Sequence, residues 1–236
     1  MESYLLKGAE ELGIDLSDEK VKKFIDFYNM LISGNEKCNL TAITEMHEVV
    51  IKHFLDSLSC IKAASFEGDL SMLDIGTGAG FPAIPLKILY PKLSVVLIES
   101  VKKKVDFLIN TVSELGLENV KAIHVRAEYA GALDEYREKF DRVTARAVAQ
   151  LNVLAEYCIP MVKLGGYFIA LKGPSTEEEI KNAIPAIKEL GGRIEKTITL
   201  KLPFSGEGRT LIAVRKVYKT PKKYPRRIGI PIKKPL

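Results

Sequence analysis

Cysteine is scarce in this 236-residue chain: Cys38, Cys60 and Cys158 are odd in number and widely spread. None stands in C-x-x-C spacing, which argues against a disulfide framework and a zinc site and leaves packed thiols in a reducing cytosol. No run approaches the ~20 apolar residues needed to span a bilayer. Met1-Glu2-Ser3-Tyr4 opens an amphipathic segment instead of a signal peptide, so a soluble, cytoplasmic protein with no membrane partner is expected. The nucleophile elbow G-x-S-x-G is absent, and so is the dinucleotide fingerprint G-x-G-x-x-G. From Arg215 to Leu236 there is no Asp or Glu against nine Lys or Arg, while the rest of the chain holds 26 basic and 30 acidic residues. With 47% hydrophobic content the chain can bury a full core as one main α/β domain with a small extension.

The most telling stretch is Leu73-Asp74-Ile75-Gly76-Thr77-Gly78-Ala79-Gly80-Phe81, an apolar strand running into three glycines on alternate positions. Without Cβ atoms such a turn takes positive φ and brings its amides close to a bound molecule. The later run Ser94-Val95-Val96-Leu97-Ile98 closes on Glu99, whose carboxylate suits two ribose hydroxyls at the end of a second parallel strand. A dinucleotide fingerprint would place its third glycine at Phe81, whereas here it is Gly80, one residue early. S-adenosylmethionine has no pyrophosphate. It asks for close backbone approach, an anion such as Asp74 near its ammonium and a ribose acceptor such as Glu99, and it is the cofactor these residues favour over a plain strand-to-helix turn.

Along the chain, Asp18-Glu19 precede Val21, Phe24, Ile25, Tyr28, Leu31 and Ile32, the stripe of an amphipathic helix that Ser33-Gly34-Asn35 should stop. Thr44-Glu45 opens another, with Val50, Ile51, Phe54, Leu55, Leu58 and Ile61 on its buried side. Residues 1–68 therefore read as a helical cap. From Met72 strands and helices alternate, which means a parallel sheet with helices on both faces over residues 69–216. Arg193–Leu200 and Arg209–Arg215 close it as a hairpin around Gly206-Glu207-Gly208. Residues 217–236 form a basic, proline-bearing tail.

Ligands of such sheets sit beyond the carboxyl ends of the strands. Three junctions qualify. Arg126-Ala127-Glu128 offers a backbone amide and a carboxylate to bracket an adenine edge, or simply caps a helix. Thr144-Ala145-Arg146-Ala147 and Lys172-Gly173-Pro174 each bring a cation that is either a solvated charge or a site residue. His53, Asp56 and Ser57 share a helix face but cannot be oriented in series as a hydrolytic triad, so they read as a polar stripe bonded to neighbouring loops. Lys102-Lys103-Lys104 reads as a solvated face, and His47 and His124 as structural. In the tail, prolines favour an extended backbone, so Lys222, Lys223, Arg226 and Arg227 are expected to reach out to phosphate rather than only to solubilise. Beside a nucleoside-cofactor pocket, RNA is the favoured substrate. A small-molecule methyltransferase and a non-catalytic RNA-binding protein with a vestigial pocket are the competing classes. No metal is expected.

The ordered set Asn39-Leu40-Thr41-Ala42-Ile43, His53-Phe54-Leu55-Asp56-Ser57, Asp74 to Pro82, Thr144-Ala145-Arg146-Ala147, Leu171-Lys172-Gly173 and Tyr224-Pro225-Arg226-Arg227-x-Gly229-x-Pro231 resembles the bacterial small-subunit ribosomal RNA guanine-N7 methyltransferases, also called glucose-inhibited division protein B. The resemblance runs from about residue 35 onward. It implies a class I S-adenosylmethionine-dependent (Rossmann-like) α/β fold with an N-terminal helical cap. It further implies S-adenosylmethionine as donor, and as acceptor a guanine in the decoding-region loop of 16S ribosomal RNA, free or in the small subunit. By motif it implies cofactor contacts at Gly76, Phe81, Ala127, Glu128 and Arg146. Guanine N7 already carries an in-plane lone pair, so no acid or base is required; Arg146 and Lys172 are better cast as positioning groups. A monomer is expected.

Overall fold

The computed structural model describes residues 1–146, 149–174 and 176–236. It opens with α1 (Glu2–Glu11) and α2 (Asp18–Cys38). Asp18 and Glu19 occupy the first turn of α2, where the peptide dipoles favour anions, and Val21, Phe24, Phe27 and Leu31 form its buried stripe. The break expected at Ser33-Gly34-Asn35 is absent. A Cβ on Gly34 would stand 2.5 Å from the Phe107 ring, so this glycine serves close packing, and the helix runs on until Asn39 leaves it at φ 46°.

The next helical stretch is not uniform. It begins as α3 (Met46–Val49), capped by the Glu45 carboxylate on the Glu48 amide, and widens into a π-helical turn over Val50–Leu55. It then tightens through α4 (Asp56–Leu58) to a 3₁₀ turn at Ser59–Lys62. A π turn re-aims the side chains around it and recurs at functional sites. Here those side chains include His53 and Asp56.

The rest alternates as β1 (Ser71–Ile75), α5 (Ala83–Leu89), β2 (Ser94–Glu99), α6 (Lys102–Glu114), β3 (Val120–His124), α7 (Ala127–Ala132), β4 (Phe140–Arg146), α8 (Leu151–Cys158), β5 (Val162–Lys172), α9 (Glu177–Glu189), β6 (Gly192–Lys201) and β7 (Gly208–Lys216), with a short α10 (Ile230–Lys233) in the tail. The sheet order is β3-β2-β1-β4-β5-β7-β6. Five strands are parallel; β7 runs antiparallel to both β5 and β6. The chain reverses its winding between β1 and β4, the switch point where such sheets bind ligands. Helix α7 was not among the expected elements, because six residues are too few to show a period. The reversal of β7 places Thr210 opposite Lys172, so Arg209 enters the sheet at the edge where the parallel strands end.

Burial joins segments that the sequence separates. One buried cluster runs from Leu5, Phe24, Phe54 and Leu58 to Met72, Leu97, Ile169 and Leu211, so the cap and one face of the sheet share a core. The other face buries Leu73, Val143, Leu154, Phe168 and Ile212 together with Tyr224 from the tail. The tail is therefore not the extended arm that its prolines suggested. Arg137 donates to the carbonyls of Thr220, Pro221 and Tyr224 at 2.8, 3.2 and 2.7 Å. The buried Lys216 ammonium meets the Thr220 hydroxyl and the Ile159 carbonyl. Near the opposite end of the chain, the Tyr4 ring stacks on Phe204 in the β6–β7 turn, with centroids 3.9 Å apart. Among the described residues no helix is long and apolar enough to cross a membrane, and no cluster of His, Cys, Asp and Glu could hold a metal ion.

A shared core should melt as a unit. Phe54→Ala, at a fully buried position, is expected to cost about 3–5 kcal/mol and to keep a single unfolding transition. Circular dichroism and tyrosine fluorescence during urea titration check this; two separated transitions would show that the cap folds apart from the sheet.

Candidate active site at the carboxyl edge of the sheet

The turn after β1 is built from backbone bonds. Ile98 O of the adjacent strand accepts from the amides of Gly76 and Thr77 at 2.9 and 3.2 Å, and Thr77 O accepts from Gly80 and Phe81 at 2.9 and 3.0 Å. Gly78 sits at φ 60°, and a Cβ there would meet nothing within 4 Å, so the turn faces open room. Glu99, at the end of β2, closes the turn from the side. Its carboxylate accepts from the Gly78 amide at 3.0 Å and from the Ser100 and Val101 amides at 2.8 and 2.9 Å. A ribose reaching Glu99 would share a carboxylate that already organises the turn. Asp74 is fully buried: Oδ1 accepts from the Thr144 hydroxyl at 2.6 Å, while Oδ2 has no hydrogen-bond partner among the described residues. Burial raises its pKa to about 7, against the pull of Thr144. The cradle at Gly78, the orphaned Asp74 oxygen and the Glu99 carboxylate fit a ligand that carries an ammonium and vicinal hydroxyls.

The Phe81 ring does not line that room. It is buried against Phe27 and His53, with centroids 5.2 and 4.6 Å away, and under the Arg146 guanidinium at 4.9 Å. Arg146, the last residue of β4, donates to Asp56 at 2.9 Å and to the Lys52 carbonyl at 3.0 Å. Asp56 also takes Arg209 at 3.0 Å, so one buried carboxylate from α4 holds arginines from β4 and β7. Lys172 donates to the Ala149 carbonyl and to Glu179, both at 2.6 Å. Lys52, His53, Asp56, Arg146, Lys172 and Arg209 line one cleft of about 420 Å³.

His53 is the imidazole of this cleft, and burial together with the Arg146 charge lowers its pKa to about 3. The Ser57 hydroxyl donates to the His53 backbone carbonyl at 2.5 Å, not to its ring. The stripe is thus a hydrogen-bonded brace with no nucleophile in series. His47 packs on Tyr4, and His124 bonds the Ser100 carbonyl at 2.9 Å.

The third junction holds a different surprise. Ala127 and Glu128 open α7, and Glu128 is buried with Oε1 accepting from the Gly229 amide of the tail at 2.9 Å. Of the four tail cations singled out in the sequence, Arg226 is committed to Glu156 through Nε and Nη2, and Lys223 pairs with Glu189 at 3.0 Å. Lys222 and Arg227 are exposed and have no ion-pair partner among the described residues. Ala147 of the fourth-strand motif lies outside the described residues. Sequence reading missed Arg209, although its place just after the Gly206-Glu207-Gly208 turn was the available signal; nothing local flagged Glu156 or Glu179.

A family model described as GidB, rRNA small subunit methyltransferase G, matches residues 20–203. A protein of that name from Pelotomaculum thermopropionicum is 53% identical over 98% of this chain and 96% of its own. Another from Alkaliphilus metalliredigens is 49% identical over the full length of both. The chain belongs to this family. Among solved structures, an S-adenosylmethionine-dependent methyltransferase from Aquifex aeolicus superposes with a TM-score of 0.56, at 18% identity, over 76% of this chain and 97% of that one. The Methanococcus jannaschii fibrillarin pre-rRNA processing protein gives 0.51 at 22% identity, over 64% and 68%. The fold of this methyltransferase G family member is therefore the class I methyltransferase fold, here with its helical cap.

The cleft carries a pH signature. The unfolded chain protonates His53 near the ordinary 6.5 and the native one only near 3, so between these values the unfolded state binds more protons and His53 makes stability fall as pH falls. Asp74 works in the opposite sense between about 4 and 7, because its native carboxyl keeps the proton longer. His53→Gln should therefore gain stability relative to wild type as pH is lowered from about 6.5 to 4. Urea denaturation at several pH values measures the difference, and parallel curves for the two proteins would disprove it.

Proposed function

We propose that this protein methylates N7 of a guanine in 16S ribosomal RNA, in the decoding-region loop, acting as a cytoplasmic monomer on free RNA or on the small subunit. S-adenosylmethionine is the cofactor, and when bound it supplies a methyl group made electrophilic by a sulfonium sulfur. The residues disposed to hold it are the Gly76–Gly80 turn, Asp74 through its free oxygen for the ammonium, Glu99 for the ribose hydroxyls, and Ala127 with Glu128 for the adenine edge.

One observation carries the reading. A cleft at the carboxyl ends of β4 and β5 presents Arg146, Lys172 and Arg209, is joined to the glycine turn through Phe81 beneath Arg146, and holds its imidazole neutral and braced. Guanine N7 offers an in-plane lone pair and no proton, so this cleft needs to orient, not to deprotonate. Arg209 and Arg146, fixed by Asp56, supply donors for the phosphate or the guanine O6 edge. Phe81 acts through its position: its amide completes the turn, and its ring carries Arg146 at a fixed height. On the outer surface Lys222 and Arg227 remain for RNA phosphates, while Arg226 is committed to the buried Glu156 and Lys223 shares an exposed pair with Glu189.

The test is to incubate small-subunit RNA with the protein and methyl-labelled donor and to map the label. Label in one guanine that is cleavable by N7-methylguanine-selective chemistry supports the proposal; label on small metabolites alone, without RNA, overturns it. Arg209→Ala should raise the KM for RNA by roughly tenfold to a hundredfold, the loss of one charged hydrogen bond. Donor affinity measured by calorimetry should stay within about twofold of wild type.

A further inference from the structure

We propose that tail residues 224–229 are a wall of the cofactor pocket, with Arg226 and Glu156 acting as positioning residues that hold the carboxylate of Glu128 in place. The proposal rests on the reading that Glu128 meets the cofactor. It goes beyond the tail as an RNA-docking element and joins two regions separated by some hundred residues of sequence.

Glu128 follows β3 at the same edge as Glu99, and its segment is tied there because Val125 donates to Glu99 O at 3.1 Å. One carboxylate oxygen is fixed by the Gly229 amide at 2.9 Å. Burial, and then the Glu128 charge, push the Tyr157 hydroxyl up to about 12, so it keeps its proton beside that carboxylate. With Oε1 committed, Oε2 is the oxygen left to accept from an amine or hydroxyl donor, the class to which the exocyclic amine of an adenine belongs.

What holds Gly229 at that distance is the preceding turn of the tail. Glu156, at 1% exposure, receives the Arg226 backbone amide at 2.8 Å, Nε at 2.9 and 3.1 Å, and Nη2 at 2.6 Å. A buried carboxylate without that guanidinium would be an unpaired charge, so the pair dictates where the tail lies. Pro225 packs on α7, since a Cβ on Gly131 would stand 3.0 Å from its ring. Arg137 bonds the Gly131 carbonyl at 3.2 Å and the Tyr224 carbonyl at 2.7 Å, clamping helix and tail together. The neighbouring pair of Lys223 with Glu189 is exposed and meets only the ring and hydroxyl of Tyr224, not Glu128, Glu156 or Arg226, which makes it the natural control.

The test is calorimetry of S-adenosylhomocysteine with the full-length protein. Arg226→Ala should weaken binding by roughly tenfold, and Arg226→Lys should recover part of it. Lys223→Ala should bind like wild type. Should Arg226→Ala not fold, the double variant Glu156→Gln with Arg226→Gln removes the pair without leaving a buried charge, and the same loss is expected. Wild-type affinity in a folded Arg226 or double variant overturns the proposal. Glu128→Gln separates the two failures. If it loses affinity while the tail variants do not, Glu128 is a cofactor residue but the tail does not position it. If it too binds normally, the reading beneath the proposal is wrong.

Discussion

Asp56 is the constraint around which the active edge is arranged. It is one carboxylate, nearly inaccessible to water, and it receives a guanidinium from the end of β4 and another from the start of β7. Breaking such a buried pair from one side leaves an uncompensated charge, an effect of about 3–5 kcal/mol in other proteins. The carboxylate stands directly after the π turn of Val50–Leu55. The helical cap is thus attached at the wall of the cleft as well as through the core beneath. Arg146 is consequently less a mobile phosphate trap than a fixed part of the cleft wall, held above Phe81 and beside His53.

The same economy governs the tail. A cluster of cations read along the chain suggests a surface for RNA, yet a basic side chain held by a buried carboxylate, as Arg226 is by Glu156, is not free for phosphate. Glu156 and Glu189 claim two of the four residues singled out, and what faces outward is a smaller charge than the sequence counts. The tail's contribution to the molecule is divided between packing through Tyr224 and Arg226 and exposed charge at Lys222 and Arg227.

How much of this was legible depends on the range of the interaction. The glycine turn, Glu99 and the alternation of strands were readable because they follow from neighbours in sequence and from period. The stop expected at Gly34 failed because the glycine answers to Phe107, more than seventy residues away, and not to its own backbone. The extended tail failed because Glu156 and Arg137 lie on elements whose nearness to residues 220–229 only the fold creates. Arg209 was invisible as a site residue because its place depends on β7 running against its neighbours. Family resemblance pointed to Glu128 and Phe81; the structure shows that one is braced by the tail and that the other has its ring in the core.

Helix α1 added only an amphipathic pattern to the sequence, yet its Tyr4 ring lies flat on Phe204, at the tip of the hairpin whose second strand begins with Gly208 and Arg209. A hairpin tip in solvent swings about its base, and here the tip end, where Gly208 and Arg209 pair with Lys201 and Leu200, is the rim of the cleft. By pinning the tip, the first helix acts as a strut at the very end of the hairpin that carries Arg209 and fixes the angle at which it meets Asp56. Sequence changes among the first ten residues would then be felt as a loosened grip on the substrate, without any of those residues approaching it.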